Sequence, residues 1–453
     1  MYFPGELGTV VPRKGFLNVP QVSFSRTPAY SVRRWGYADG SVPKELLGEF
    51  GGDETAFKRM NFYRLRGETA YIPCCHGQNK FRPAARFAKT HPEYFVMLQD
   101  GSRWTEPGQA QGHFGQVCQS SAFWDEMFKD IVSRFKGEDP ALRGVPAEEG
   151  GGFAWGRCFL GRYVDVMPQD GMVACRCAGC QAAYVRKEDV DYATELVWSR
   201  TARLGERLQA AGVDCRLVLE AYVPYGRIPG PEIRLPANVD VQVSRAGPWS
   251  RCTPETLHRH NAEIAAWAEK IGHKVWLWVY PCKVACFNVE MPDVPQMTPR
   301  AWGEYFKTLS GSIVGAFAES ESDRWLYNYL NYYVFSRVCR DADTDVDAVL
   351  DEHYRLMFGP GAPYMKRFFE SLEDKWIREI VVDVRDSPLG PAVAKAPGRK
   401  EVWTRVFPPE VLAGYRECLD RAAAKVEEGS LESRRIALFR REFFEPMLRA
   451  ASR

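Results

Sequence analysis

The sequence holds no apolar run approaching the roughly 20 residues of a membrane-spanning helix. It has no block of like charge: 60 Lys and Arg stand against 58 Asp and Glu, a net +2. Neither a nucleic-acid backbone nor an acidic membrane surface is therefore an expected partner. Internal repeats and low-complexity tracts are absent. No Gly-x-Gly-x-x-Gly follows a strand-like run; Glu149-Gly150-Gly151-Gly152 has neither the spacing nor the strand, so it is no dinucleotide fingerprint. The opening Met1-Tyr2-Phe3-Pro4-Gly5 lacks the basic region and the roughly 7–15-residue apolar run of a secretory leader. Its abruptness reads as joining a longer protein partway. A regular disulfide framework is also missing. The 13 cysteines are an odd number, and Cys74-Cys75 and the group Cys175, Cys177, Cys180 do not follow scaffold spacing, so mostly free, buried thiols are expected.

What is present is ample apolar material. With 453 residues, 45% of them hydrophobic, the chain can bury the core of one large domain and a smaller one. Aromatics make up 13%. Most should be core, but flat rings with polar edges also stack on sugar faces.

Residues 1–28, rich in Gly, Pro and Val, read as an N-terminal arm or the remnant of a β domain. From Ala29 short apolar runs alternate with amphipathic stretches, the pattern of βα units on a mainly parallel sheet. Eight strand candidates are Tyr30–Trp35, Met60–Leu65, Tyr94–Leu98, Tyr163–Met167, Arg216–Val223, Val239–Val243, Val275–Val279 and Val314–Ala318. Helical patterns such as Ser121–Lys136, Asp189–Ala211 and Pro254–Ile271 lie between them. The expected fold class is an α/β, (β/α)8 TIM-like barrel over 29–340, followed by a helical region over 341–453. Periodicity alone leaves an open doubly wound sheet as the alternative. Asp386–Lys400, rich in Pro, Gly and Ala, reads as a loop.

The stretch Asp165–Cys180 organises the reading. The apolar run Tyr163–Met167 breaks at Pro168, sets Asp170 on the loop beyond it, and closes with a thiol group before a helix. Barrel enzymes place their chemistry at strand C-termini. The polar and aromatic residues at those positions are Arg34, His76, Asp170, Glu220, Tyr222, Trp249, Trp278, Tyr280, Glu319, Glu321 and Trp325. Carboxylates amid aromatics and cations suit a sugar pocket. Glycoside hydrolysis needs a proton donor and a second group that stabilises an oxocarbenium-like transition state, and two carboxyls in different surroundings can divide those roles. Asp170 and Glu319 are the main candidates and Glu220 the reserve; no cofactor is required for such a reaction. Each has an ordinary structural alternative. Asp170 could cap a helix, Glu319 could pair with Arg324, Glu220 could be a buried and partnered acid, Arg34 a surface strand residue, and His76 a core histidine.

Cys175-x-Cys177-x-x-Cys180 is the sharpest local pattern. Three close thiolates could hold a structural zinc with a fourth ligand from elsewhere, Cys158, Cys286 and His76 being available. One disulfide plus a free thiol, or three free thiols, are the alternatives.

The segments His91-Pro92-Glu93-Tyr94-Phe95, Gln99-Asp100-Gly101, Gln116-Val117-Cys118 and Pro168-Gln169-Asp170-Gly171 with the cysteine group resemble the bacterial domain of unknown function 4838. Further matches are Gly315-Ala316-Phe317-Ala318-Glu319, the stretch Asp347–Gly359, and the opening Phe3-Pro4-Gly5-Glu6-Leu7-Gly8. Together they span roughly residues 1 to 370. That domain also occurs in glycoside hydrolase family 163, whose characterised activity is endo-β-N-acetylglucosaminidase on N-glycans. The resemblance implies a barrel related to hexosaminidases and α-glucuronidases, a glycan substrate, and a periplasmic or secreted location. It also implies Asp170 and Glu319 as active-site acids and Arg34 and His76 as sugar contacts.

Overall fold

The computed structural model describes the chain apart from residues 12–22, 24, 39, 68–73, 106–115, 148–157, 170, 186–188, 250–252, 282–292, 382–383, 388–389 and 394–396. Seven strands precede the C-terminal helices: β1 (Val32–Ala38), β2 (Phe159–Leu160), β3 (Tyr163–Asp165), β4 (Arg216–Ala221), β5 (Val239–Arg245), β6 (Val275–Val279) and β7 (Ile313–Glu321). The chain forms two compact units. The first takes Met1–Thr69, Arg245–Ala262 and Trp278–Arg453; the second takes Ala70–Ser244 and Glu263–Leu277.

In the first unit β1 runs parallel to β7, with Arg34 opposite Phe317 and Gly36 opposite Glu319. The last two residues of β6 flank β7 on its other side. Successive side chains point to opposite faces, and the two faces of β1 differ. Trp35 packs against Phe62, Tyr332 and Phe335 at 4.5, 5.7 and 6.0 Å between ring centroids, so that face is roofed by helices. Arg34 lies on the other. Gly315 sits where β7 lies close against the backbone of β1. Its φ of 142° suits glycine, and an added Cβ would lie 1.9 Å from the Val32 carbonyl oxygen.

The second unit orders its strands β6-β5-β4-β3-β2, with β3, β4 and β5 parallel and β2 antiparallel to β3. The runs Leu217-Val218-Leu219 and Val239–Val243 are buried throughout, as expected for parallel strands covered on both faces.

The fold is thus mixed α/β with mostly parallel strands. The described strands before the C-terminal helices number seven, one of them antiparallel, and do not make up the eight parallel strands of a complete barrel. Two expected strands are absent. Met60–Leu65 belongs to the helix Glu54–Arg64 instead. Asp53 caps that helix, its carboxylate accepting from the N–H groups of Thr55 and Ala56 at 2.8 and 3.0 Å. Its buried residues, Phe57 and Asn61, are one turn apart, so helical periodicity wins over the β-prone composition. Tyr94–Leu98 forms only isolated bridges, Phe95 to Val117 and Met97 to Arg103. Part of the expected loop Asp386–Lys400 is a short antiparallel pairing of Val384–Ser387 with Gly390–Val393.

The C-terminal helices include Tyr329–Arg340, Val346–Phe358, Ala362–Lys375, Pro409–Ala423 and Leu431–Phe439. Arg435, buried, donates to the carbonyls of Leu7, Thr9 and Met357 at 2.8, 3.0 and 3.2 Å and so ties the first residues to these helices.

One buried acid here makes stability pH-dependent. Glu373, 6% exposed, accepts from the Ala301 N–H at 2.9 Å and lies 3.7 Å from the Arg300 guanidinium. Burial outweighs both and pushes its carboxyl up to about 7. A carboxyl raised above its unfolded value keeps its proton longer in the folded state. Its contribution is therefore complete below roughly pH 4.5 and is lost as pH rises towards 7. Glu373→Gln is expected to flatten the denaturant midpoint across that window and to leave the variant more stable than wild type at pH 8, by about 3 kcal/mol. Parallel midpoint profiles for the two proteins would remove the raised acid from the account.

Candidate functional site

In the first unit the C-terminal end of β7 holds two of the sequence's candidate acids, Glu319 and Glu321. Strand alternation puts Phe317, Glu319 and Glu321 on the face away from Trp35 and its helices. Glu319 is 7% exposed, and its Oε2 accepts a hydrogen bond from Trp278 Nε1 at 2.8 Å. Trp278 stands edge-on to Phe317, 4.6 Å between centroids at 86°. The Arg34 guanidinium lies 5.7 Å from the centre of the same Phe317 ring, on the strand paired with β7. Tyr280, half-buried, follows 6.4 Å from Trp278. One carboxyl group, one cation and several rings thus meet at the strand ends, the place where parallel α/β folds hold ligands. Glu321, half-buried, is the last residue of β7. Arg324, the sequence's alternative partner for Glu319, sets its guanidinium on Asp293, at 3.0 and 2.8 Å.

Two of the expected sugar platforms in this unit are core residues. Trp249 is 1% exposed, wedged against Trp302 and Tyr305 at 5.0 and 5.5 Å, with its carbonyl taking the Trp376 indole N–H at 3.1 Å. Trp325 is equally buried, between Phe57 and Phe3. Burial leaves neither indole a face for a sugar; their places near strand ends did not decide which way they turn.

In the second unit, Glu220 is 3% exposed near the end of β4, directly opposite Gln242 of β5. On the same faces, Arg216, four residues before Glu220, grips Asp240, two residues before Gln242, with two hydrogen bonds, at 2.6 and 2.7 Å. Gln242 is fully buried, and neither amide atom has a hydrogen-bond partner among the described residues. Tyr222 lies just beyond β4 and is half-buried. Asp170 lies outside the described residues; its neighbour Gln169 is buried and accepts from Asn79 Nδ2.

Sequence reasoning passed over Asp165, the last residue of β3. It is fully buried and takes the Lys80 ammonium at 2.8 Å, the Cys75 N–H at 2.8 Å and the Met167 N–H at 3.0 Å. These bonds fasten the segment 74–80 to the strand. Gly77 is required there, since a Cβ would meet the Asp165 carbonyl and carboxylate oxygens at 2.2 and 2.3 Å. His76, half-buried, occupies a left-handed position in this segment, φ 57°. Burial first, then the charges of Asp165 and Glu220, push the Cys74 thiol well above its ordinary value, so it is no nucleophile at neutral pH.

The thiol group is four, not three. Cys118 Sγ lies 3.6 Å from the Sγ of each of Cys175, Cys177 and Cys180, and all four sulfurs fall within 4.8 Å of one another. It is the one group of three or more metal-ligating side chains among the described residues. The fourth member is none of those the sequence offered. Cys158 is buried near Asp165 and Lys80, His76 lies in the segment that Asp165 fastens, and Cys286 is outside the described residues. No spacing signal joins Cys118 to the rest; only its presence in Gln116-Val117-Cys118 drew notice. All ten described cysteines are free thiols, as composition led one to expect.

Residues 161–370 match the model of the "Domain of unknown function (DUF4838)". No curated protein matches the chain. Among solved structures, a "GH138 enzyme targeting pectin rhamnogalacturonan II" is similar at 10% identity and a TM-score of 0.28, over 58% of this chain and 39% of that one. The chain therefore spans about two fifths of the length of that protein.

Proposed function

We propose that the protein is a glycoside hydrolase acting on a complex glycan, with Glu319 as one of its catalytic carboxyls. The observation that carries this is the setting of Glu319: a buried acid at a parallel-strand end, oriented by the Trp278 indole N–H, beside Phe317 and the Arg34 guanidinium. Burial and one oriented hydrogen bond let a carboxyl exchange a proton with a glycosidic oxygen in a fixed direction. Tyr280, half-buried, offers an apolar face for a pyranose, and the half-buried Arg34 guanidinium suits a sugar hydroxyl or a substrate carboxylate. Asp170 and Glu220 are the other carboxyls that the sequence names as candidates. The finer specificity, endo-β-N-acetylglucosaminidase-like, is what the resemblance to glycoside hydrolase family 163 implies. An α-glucuronidase-like specificity is the other reading of the same relatives, and a non-catalytic carbohydrate-binding role is the reading from another class.

A panel of N-glycoproteins and aryl glycosides, with products identified by mass, separates these readings. Release of N-glycans ending in a single N-acetylglucosamine supports the endo-acting enzyme, and release of glucuronic acid the alternative specificity. Saturable binding without any product marks a binding module and overturns the proposal. Where turnover is found, Asp170→Asn is expected to lower it at least about 100-fold with the fold intact, the scale for loss of a general acid or base. Turnover at the wild-type rate would take Asp170 out of the mechanism.

A further inference from the structure

We propose that Cys118, Cys175, Cys177 and Cys180 bind one zinc ion in a closed, structural site. The geometry points to it first. Zinc–sulfur bonds of about 2.3 Å in a tetrahedron require sulfurs about 3.8 Å apart. Cys118 Sγ stands 3.6 Å from each of the other three, and no pair of the four exceeds 4.8 Å. Disulfides would need about 2.05 Å, and the four are free thiols. The donor set is sulfur alone, which selects a soft or borderline ion such as zinc over calcium or magnesium.

The surroundings suit a tetrathiolate. The Met97 N–H points at Cys175 Sγ at 3.3 Å and the Cys180 N–H at Cys177 Sγ at 3.4 Å. Ser120 Oγ lies 3.4, 3.3 and 3.2 Å from the sulfurs of Cys118, Cys177 and Cys180. Such donors spread the negative charge of bound thiolates and orient them. Cys118, Cys175 and Cys180 are buried, and Cys177 is at the half-exposed edge. Four protein ligands leave no open position for water, so the site is structural rather than hydrolytic.

Its place in the fold says what it holds. Three ligands come from the end of the loop after β3 and the start of the helix Ala178–Ala183; the fourth comes from the segment before the helix Phe123–Phe135. The same two segments are laced by Gln116, whose Nε2 donates to the Gly171 carbonyl at 3.0 Å and whose Oε1 takes the Val173 N–H at 2.6 Å. Arg176 N–H donates to the Met97 carbonyl at 2.9 Å. Zinc would lock this strand-end loop from its far side. The site does not depend on the glycosidase reading and holds for a binding protein equally.

The test is metal analysis of the full chain, purified in a thiol-free reductant without added metal. About one zinc per chain is expected, and cobalt exchanged into it should give the intense thiolate charge-transfer band of a tetrahedral sulfur site. Chelation should lower the melting temperature by about 5 °C or more. Cys118→Ser should cut bound zinc at least fivefold, whereas Cys158→Ala and His76→Ala should keep it. Wild-type protein with less than about a tenth of an equivalent, whether its thiols are free or oxidised by intact mass, overturns the proposal. Full zinc in Cys118→Ser overturns the fourth ligand.

Discussion

Glu319→Gln is expected to lower turnover on any glycan the protein cleaves by about 10²–10⁴-fold, or about 3–5 kcal/mol of transition-state stabilisation. The substitution isolates the chemistry well. A glutamine carbonyl can still accept from Trp278 Nε1, which now bonds Glu319 Oε2 at 2.8 Å, so packing at the end of β7 should survive. What goes is the proton and the negative charge. A loss confined to kcat, with glycan binding retained, identifies a group that works in the transition state. Trp278→Phe should act more mildly. It keeps a ring against Phe317 but removes the N–H, so the carboxyl loses its orientation and the pH profile of kcat should move. Unchanged kcat in Glu319→Gln removes this acid from the mechanism.

Gly315→Ala is expected to be among the most destabilising single-methyl additions in the chain, at about 4 kcal/mol or more. The methyl carbon would lie 1.9 Å from the Val32 carbonyl oxygen and 2.7 Å from its carbon, and the backbone φ of 142° is a glycine conformation. These atoms are main chain of the paired strand, so relief requires β1 and β7 to part. That parting would also separate Arg34 from Phe317, its opposite residue. Gly414→Ala is the contrast. Gly414 stands within the helix Pro409–Ala423 with nothing within 4 Å of an added Cβ. Helix propensity alone then favours alanine by about 1 kcal/mol. Denaturant midpoints moving in opposite directions for the two variants are the expected result; a Gly315→Ala midpoint close to wild type would refute the close approach.

Apolar period and strand-end position revealed a good part of this. Six of the eight expected strands are present, because runs such as Leu217-Val218-Leu219 and Val275–Val279 are long enough to be buried on both faces. Met60–Leu65 misled because its short apolar run looked like a strand, while the cap that starts its helix, Asp53, lies upstream of that run. Asp165 was overlooked because a buried acid inside an apolar run shows its purpose only through partners 85 and 90 residues away, Lys80 and Cys75.

Local chemistry, then, was enough to locate six of the strands, the acid at the end of β7 and three of the thiols, since each depends on neighbours in the chain. Only folding could settle that Trp249 and Trp325 turn inward while Trp278 reaches Glu319. The same holds for Cys118, which completes the sulfur tetrad from 57 residues away. Orientation and long-range company are set by packing, and packing leaves no periodic trace in the order of residues.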